Sequence, residues 1–167
     1  MREYTRGEVF RANLPYGVMV VLGACVIAAC VGSSAAGVAW AGLYVLYGIA
    51  GALWVMRFIC PFCAYYNSRG CPCGYGLVSA RIAQKGEKTC FSEKFKRHIP
   101  VIVPLWIIPV LCGGYALLRG FSLPLLVLLV LFVADAFVIL PLLSRKHSCA
   151  ECPQRDDCPW MGQRGGR

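Results

Sequence analysis

Charge is scarce in long stretches of this 167-residue chain. No charged residue occurs between Arg11 and Arg57, and Asp135 is the only one between Arg119 and Arg145. Charged residues total 15%, against about a quarter in soluble domains. A soluble globular fold is therefore excluded. Histidine is scarce as well, with only His98 and His147. No Ser-His-Asp set, phosphate-binding glycine loop or paired carboxylates occur, which argues against a self-contained hydrolase or kinase and for a non-catalytic role. A cleaved signal peptide does not fit, because the first apolar run spans 45 residues and leads to no small-residue cleavage site.

What the chain does have is apolar length, with hydrophobic residues at 58%. A membrane span needs roughly 20 apolar residues. The first run is too long for one crossing and suits two, divided by the turn residues Gly32, Ser33 and Ser34. The expected architecture is an all-α integral membrane bundle of four crossings, at residues 14–31, 35–56, 99–118 and 121–144. Arg119 and Gly120 turn the second hairpin. Residues 1–148 then form the transmembrane domain with a cysteine-rich loop at 57–98, and 149–167 form a cysteine-rich tail. Pro104 and Pro109 are expected to kink the third crossing, since each removes an i→i−4 bond. Gly48 and Ala52, four apart, favour close helix contact. A short helix over 77–85, with Leu77, Val78 and Ile82 towards lipid, is expected to lie on the membrane.

Basic residues set the orientation. Sixteen of the 17 Lys and Arg lie in the N-terminal segment, the middle loop and the tail, leaving Arg119 alone on the opposite side. The positive-inside rule puts the loop and both termini in the cytoplasm, in a multi-pass protein of the cell (inner, cytoplasmic) membrane. Topology and anionic headgroups then account for most of the +9 net charge, without nucleic acid as a partner.

Eleven cysteines fall into two groups. Cys25, Cys30 and Cys112 lie within crossings and read as small apolar packing. The other eight share the predicted cytoplasmic side: Cys60, Cys63, Cys71, Cys73 and Cys90 in the loop, Cys149, Cys152 and Cys158 in the tail. Disulfides are rare in that compartment, and Cys-x-x-Cys pairs there are metal ligands first. Eight thiolates suffice for two four-cysteine sites. The expected partition gives Cys60, Cys63, Cys71 and Cys73 one centre, and Cys90, Cys149, Cys152 and Cys158 the other; Cys90 completing a site on Cys60 and Cys63 is the competitor. His98 and His147 are candidate substitute ligands.

Zinc favours such knuckles. Iron–sulfur clusters (4Fe–4S) also take four thiolates, and four of the eight cysteines precede proline, as in the ligand runs of bacterial ferredoxins, although the spacing is not theirs. The leading expectation is a membrane-anchored iron–sulfur electron-transfer subunit of a larger redox complex, with protein partner subunits. A zinc-stabilised scaffold or assembly factor comes second and a metal ion carrier third.

Asp135 lies ten residues from Arg145, about 15 Å into the membrane at helical rise. A carboxylate there costs about 2.5–3.5 kcal/mol on insertion scales, so it should face the bundle interior. Tyr44, Tyr47, Trp106 and Tyr115 are candidate donors to it. A proton step, a quinone or substrate contact, a partner's cation and a helix–helix hydrogen bond all remain open.

Overall fold

The structure is a computed structural model that describes residues 3–32, 34–148, 152–155 and 158–159, without the side chains of 147 and 148. Every regular element among the described residues is helical. Four helical runs are long and apolar enough to cross a membrane: Arg6–Val31, Ala35–Phe62, Lys88–Arg119 and Leu123–Lys146. The chain divides into two compact units. One holds Leu14–Gly51 and Val101–Pro141, the other Met1–Asn13, Ala52–Pro100 and Leu142–Arg167.

The first unit is the bundle. Its outer surface is apolar, with Val21, Trp40, Leu46, Leu111 and Val130 all exposed, as lipid contact requires. Its interior packs Met19, Val26, Tyr44, Leu105 and Phe132. Helix α1 (Arg6–Val31) ends at Gly32, whose φ of +90° suits a residue with no Cβ, and α2 (Ala35–Phe58) follows at once. The two helices touch at Gly48, where an added Cβ would stand 2.9 Å from Val20 Cγ2. A further close approach falls on Gly51, against Ile102. Tyrosine hydroxyls close gaps that apolar packing would leave: Tyr16 donates to Gly48 O (2.7 Å), Tyr44 to Leu105 O (2.6 Å) and Tyr47 to Val101 O.

The third run is not continuous. A 3-10 turn at Ile99–Val101 interrupts it, and α5 (Pro104–Arg119) starts afresh with Pro104 in its first turn. There the missing N–H costs nothing, so the break lies ahead of Pro104. Pro109 is accommodated inside α5, buried. Helix α6 (Leu123–Ala134) follows the short 120–122 turn, entered through extended Ser122 with Pro124 in its first turn.

The second unit gathers the polar segments. A capping box starts α1 eight residues ahead of the expected crossing: Thr5 N–H donates to Glu8 Oε2 (2.8 Å) and Glu8 N–H to Thr5 Oγ1 (3.3 Å). Helix α3 (Tyr75–Ile82) buries Gly76 and Ser79 and exposes Leu77, Val78 and Ile82. The helix begins and ends earlier than the expected 77–85, but its exposed apolar stripe is the one anticipated. Helix α4 (Phe91–His98) carries Lys94, Lys96 and Arg97.

The Gly48 contact makes a prediction. Gly48→Val should destabilise the bundle by about 1–3 kcal/mol. Gly42→Val is the control, because nothing lies within 4 Å of a Cβ there. Thermal unfolding in detergent micelles reads the difference, and equal melting of the two variants would refute the α1–α2 contact.

Candidate metal-thiolate centre

The loop after α2 opens with a turn made for close thiols. Cys60–Phe62 is a 3-10 turn, Pro61 sits in its first positions, and Cys63 N–H donates to Cys60 O (3.1 Å). Gly74 closes the next turn, its N–H donating to Cys71 O (3.0 Å) at a φ of +72°. A side chain at Gly74 would meet that backbone strain and stand 2.9 Å from Val9 Cγ1. Pro61 and Pro72, which follow two of the cysteines, are both buried.

These turns and the tail bring six of the eight expected ligands together. The Cys60 thiol lies within electrostatic reach of Cys71, Cys63 and Cys73. Cys63 lies within reach of Cys152, Cys71 and Cys158, and Cys152 within reach of Cys158 and Cys71. Cys63 and Cys71 thus each have thiol neighbours in both the loop and the tail. Cys90 caps α4 and is not among the neighbours of Cys60, Cys63 or Cys152. Cys149 and the His147 side chain lie outside the described residues. His98 stacks on Phe58 (ring centroids 5.1 Å apart) beside Trp54. All ten described cysteines are free thiols. Among the described residues no three Cys, His, Asp or Glu side chains stand at metal-binding spacing.

Burial pushes the Cys63 thiol up to about 11, the Tyr65 backbone N–H bonded to its sulfur pulls the other way, and the neighbouring Cys152, Cys71 and Cys158 raise it further. Cys152 is likewise raised by burial, and receives the Gln154 backbone N–H. Each sulfur therefore accepts a bond from the amide two residues ahead. That arrangement stabilises a thiolate once a cation is present, while burial keeps the free thiol neutral.

Gln154 docks the tail, and nothing in its sequence context announced it. It is buried; its Oε1 accepts Ala64 N–H (2.6 Å), and its Nε2 donates to Phe62 O and Lys88 O (both 3.3 Å). One side chain joins the tail, the Cys60–Phe62 turn and the segment before Cys90. Asn13 does similar work for α1, donating to Cys73 O (3.0 Å) and Val9 O (2.8 Å).

Asp135 belongs to the bundle unit. It is 6% exposed and opens a π-helical segment, Asp135–Ile139, which runs into α7 (Leu140–Leu143). Leu140 N–H bonds to Asp135 O, and Pro141 has no N–H to offer. Ala136 O is thereby left without a partner in its own helix, and Trp106 Nε1 donates to it (3.2 Å). Of the expected donors to Asp135, Tyr44 and Tyr47 donate to carbonyls and Trp106 to Ala136 O, while Tyr115 accepts from Arg119 Nε (2.8 Å). Among the described residues Asp135 Oδ2 has no hydrogen-bond partner.

No protein-family model matches the chain, and comparison with curated proteins and with solved structures finds no match.

Two outcomes follow. Gln154→Ala leaves the half-buried Ala64 N–H unpaired and removes two further bonds, at a cost of about 1–3 kcal/mol. Trypsin cleavage within the tail should then accelerate by roughly tenfold or more; an unchanged rate would show that other contacts hold the tail. In the bundle, Asp135→Asn should melt no lower than wild type, because the buried Oδ2 has no hydrogen-bond partner to lose among the described residues. A loss of 1 kcal/mol or so would reveal a partner for the carboxylate.

Proposed function

We propose that this chain is a membrane-anchored metal-thiolate protein, holding iron–sulfur chemistry at the cytoplasmic face of the cell membrane as an electron-transfer subunit of a larger redox complex. The observation that carries the proposal is the convergence on Cys63 of thiols from the loop and the tail. Neutral thiols gain little by gathering in a protein interior; thiolates around a cation gain a great deal.

The chemistry of the donor set, soft thiols in sequence pairs, is what supports this reading, since no three of these side chains stand at metal-binding spacing among the described residues. Cys60, Cys63, Cys71, Cys73, Cys152 and Cys158 are half-buried sulfurs, and backbone amides already bond to two of them. Six thiols exceed the four that a single tetrahedral zinc takes, and Cys90 and Cys149 supply the two more that a pair of clusters would need. Buried Pro61 and Pro72 restrict water at the sulfurs, a lever on cluster potential. The group, when bound, supplies one-electron transfer. The residues of this chain hold it, donate to its sulfurs and limit solvent, and the basic loop sets the side of the membrane.

Zinc is the second reading, favoured by the same amide-to-sulfur bonds, in a scaffold that recruits a partner through its cysteine-rich unit. Protein purified anaerobically with its membrane spans intact separates the two. Iron with acid-labile sulfide and broad visible absorption supports electron transfer; colourless protein with stoichiometric zinc supports the scaffold; metal-free protein refutes both. Cys63→Ser should remove more metal than Cys90→Ser, because Cys63 faces thiols of both segments.

Proton release gives an independent check. Cys63 titrates above its ordinary range, so it is protonated at neutral pH and must lose a proton to become a ligand. Uptake of zinc or cobalt(II) by metal-free protein should therefore strengthen as pH rises from 6 to 8, by roughly one power of ten per pH unit for each thiol deprotonated. A flat affinity profile would mean that the thiols do not bind the metal.

A further inference from the structure

Three aliphatic side chains of α3, Leu77, Val78 and Ile82, are 41–42% exposed, and Arg81 is exposed beside them. The four recur at three- and four-residue spacing (77 to 81, 78 to 81, 78 to 82), so they share one side of the helix with Arg81 inside the apolar stripe. Among the described residues the Arg81 side chain makes no hydrogen bond, ion pair or ring contact. No acidic residue occurs between Glu8 and Glu87, so α3 carries no counter-ion for it.

The opposite side of α3 fixes this presentation. Gly76 and Ser79 are buried there, and a Cβ added at Gly76 would overlap Tyr65 O and stand 3.3 Å from Cys71 Cβ. The Tyr66 hydroxyl donates to Ala83 O (2.8 Å) at one end of the helix, and Gly74 lies against Val9 of α1 at the other. Rolling the stripe inward would break these contacts.

Contacts within the same compact unit also set the depth of α3. Val9 belongs to the run Arg6–Val31, five residues ahead of Leu14, or about 7.5 Å at helical rise. Helix α3 packs against the Cys60–Phe62 turn, in which the run Ala35–Phe62 ends. Both neighbours stand where helices able to cross a membrane leave its hydrocarbon, the level at which phospholipid headgroups begin.

We infer that this face of α3 binds an anionic phospholipid, with Arg81 on the headgroup phosphate and Leu77, Val78 and Ile82 among the upper acyl carbons. A guanidinium takes phosphate oxygens in pairs, and its stem lies along apolar surface while its head stays polar. Lys85 and Lys88 are exposed nearby against Glu87 alone, which favours a headgroup of net negative charge over a zwitterionic one. A protein partner suits the face less. Three half-exposed side chains fall far short of the about 800 Å² per partner that a standard interface buries. The binding needs no metal and is independent of the function proposed above.

Amide hydrogen exchange of the full chain in nanodiscs tests this, comparing phosphatidylcholine alone with phosphatidylcholine mixed with phosphatidylglycerol. Phosphatidylglycerol should slow exchange over residues 75–82 and leave residues 64–70 unchanged. Arg81→Gln should weaken that slowing by about fivefold, the worth of one basic residue at an anionic surface, and Arg81→Lys should keep most of it. Ile82→Asn should speed exchange of α3 in both kinds of disc. Melting of each variant in micelles should match wild type, because the substituted side chains are exposed. Equal exchange of wild-type α3 in the two discs overturns the inference, as does a wild-type response from Arg81→Gln. Equal slowing over residues 64–70 also overturns it, because the effect would then belong to the charged surface as a whole. So does protection of α3 that appears only with a co-purified protein, which would make the face a protein interface.

Discussion

A bilayer interior offers no water to a polar group, and the arrangement of this molecule follows from that constraint. Backbone groups are paired within helices, and the polar side chains in the bundle serve mainly to cap what the helices leave over. Tyr16, Tyr44 and Tyr47 each donate to a main-chain carbonyl. Two of those carbonyls, of Val101 and Leu105, flank the broken entrance to α5, where a prolyl residue at 104 removes a donor. A phenol is well suited to the task, because its ring packs like a hydrophobe and its single proton is spent on the carbonyl.

The π segment obeys the same rule. Pro141 lacks an N–H, Leu140 bonds to Asp135 O, and Ala136 O is left over. Trp106, coming from α5, satisfies it. The shift into π geometry is thus explained by the proline and tied down by the tryptophan. Asp135 is not explained by it, since Oδ2 remains without a partner among the described residues. A buried acid at the head of a π segment is an uncommon pairing, and such segments are frequent at functional sites.

Much of this was legible in the sequence for a plain reason: hydropathy reports the bilayer constraint directly. The four crossings and the turns at Gly32 and Gly120 follow from runs of apolar residues and the breaks between them. Interactions that cross the chain are invisible to that signal. Gln154 looks like any polar tail residue until its amide is found spanning Phe62, Ala64 and Lys88. Asp135 was conspicuous as the lone acid of its run, but its expected donors were assigned by proximity along helices, whereas carbonyls freed by proline compete for the same protons. The Thr5–Glu8 capping box was readable and lengthens α1 beyond the apolar run, because a cap responds to local hydrogen bonding and not to hydropathy. The thiols were singled out by their spacing; which of them become neighbours across the chain depends on the tail's path, which no spacing encodes.

That path has an energetic logic. Ala64 and Gln154 are 90 residues apart in sequence. Closing a flexible loop of that length costs about 4 kcal/mol before any constant, from (3/2)RT ln n. Three hydrogen bonds from one glutamine, net about 0.5–1.5 kcal/mol each, offset about three quarters of that at their mean. Four helices are long and apolar enough to cross a membrane, and an even number of crossings would return the chain to the side from which it started and shorten the remaining search. A metal bound at Cys63 would act on ligands whose long-range entropy is largely spent, so its affinity would report the local cost of deprotonating and rotating the sulfurs.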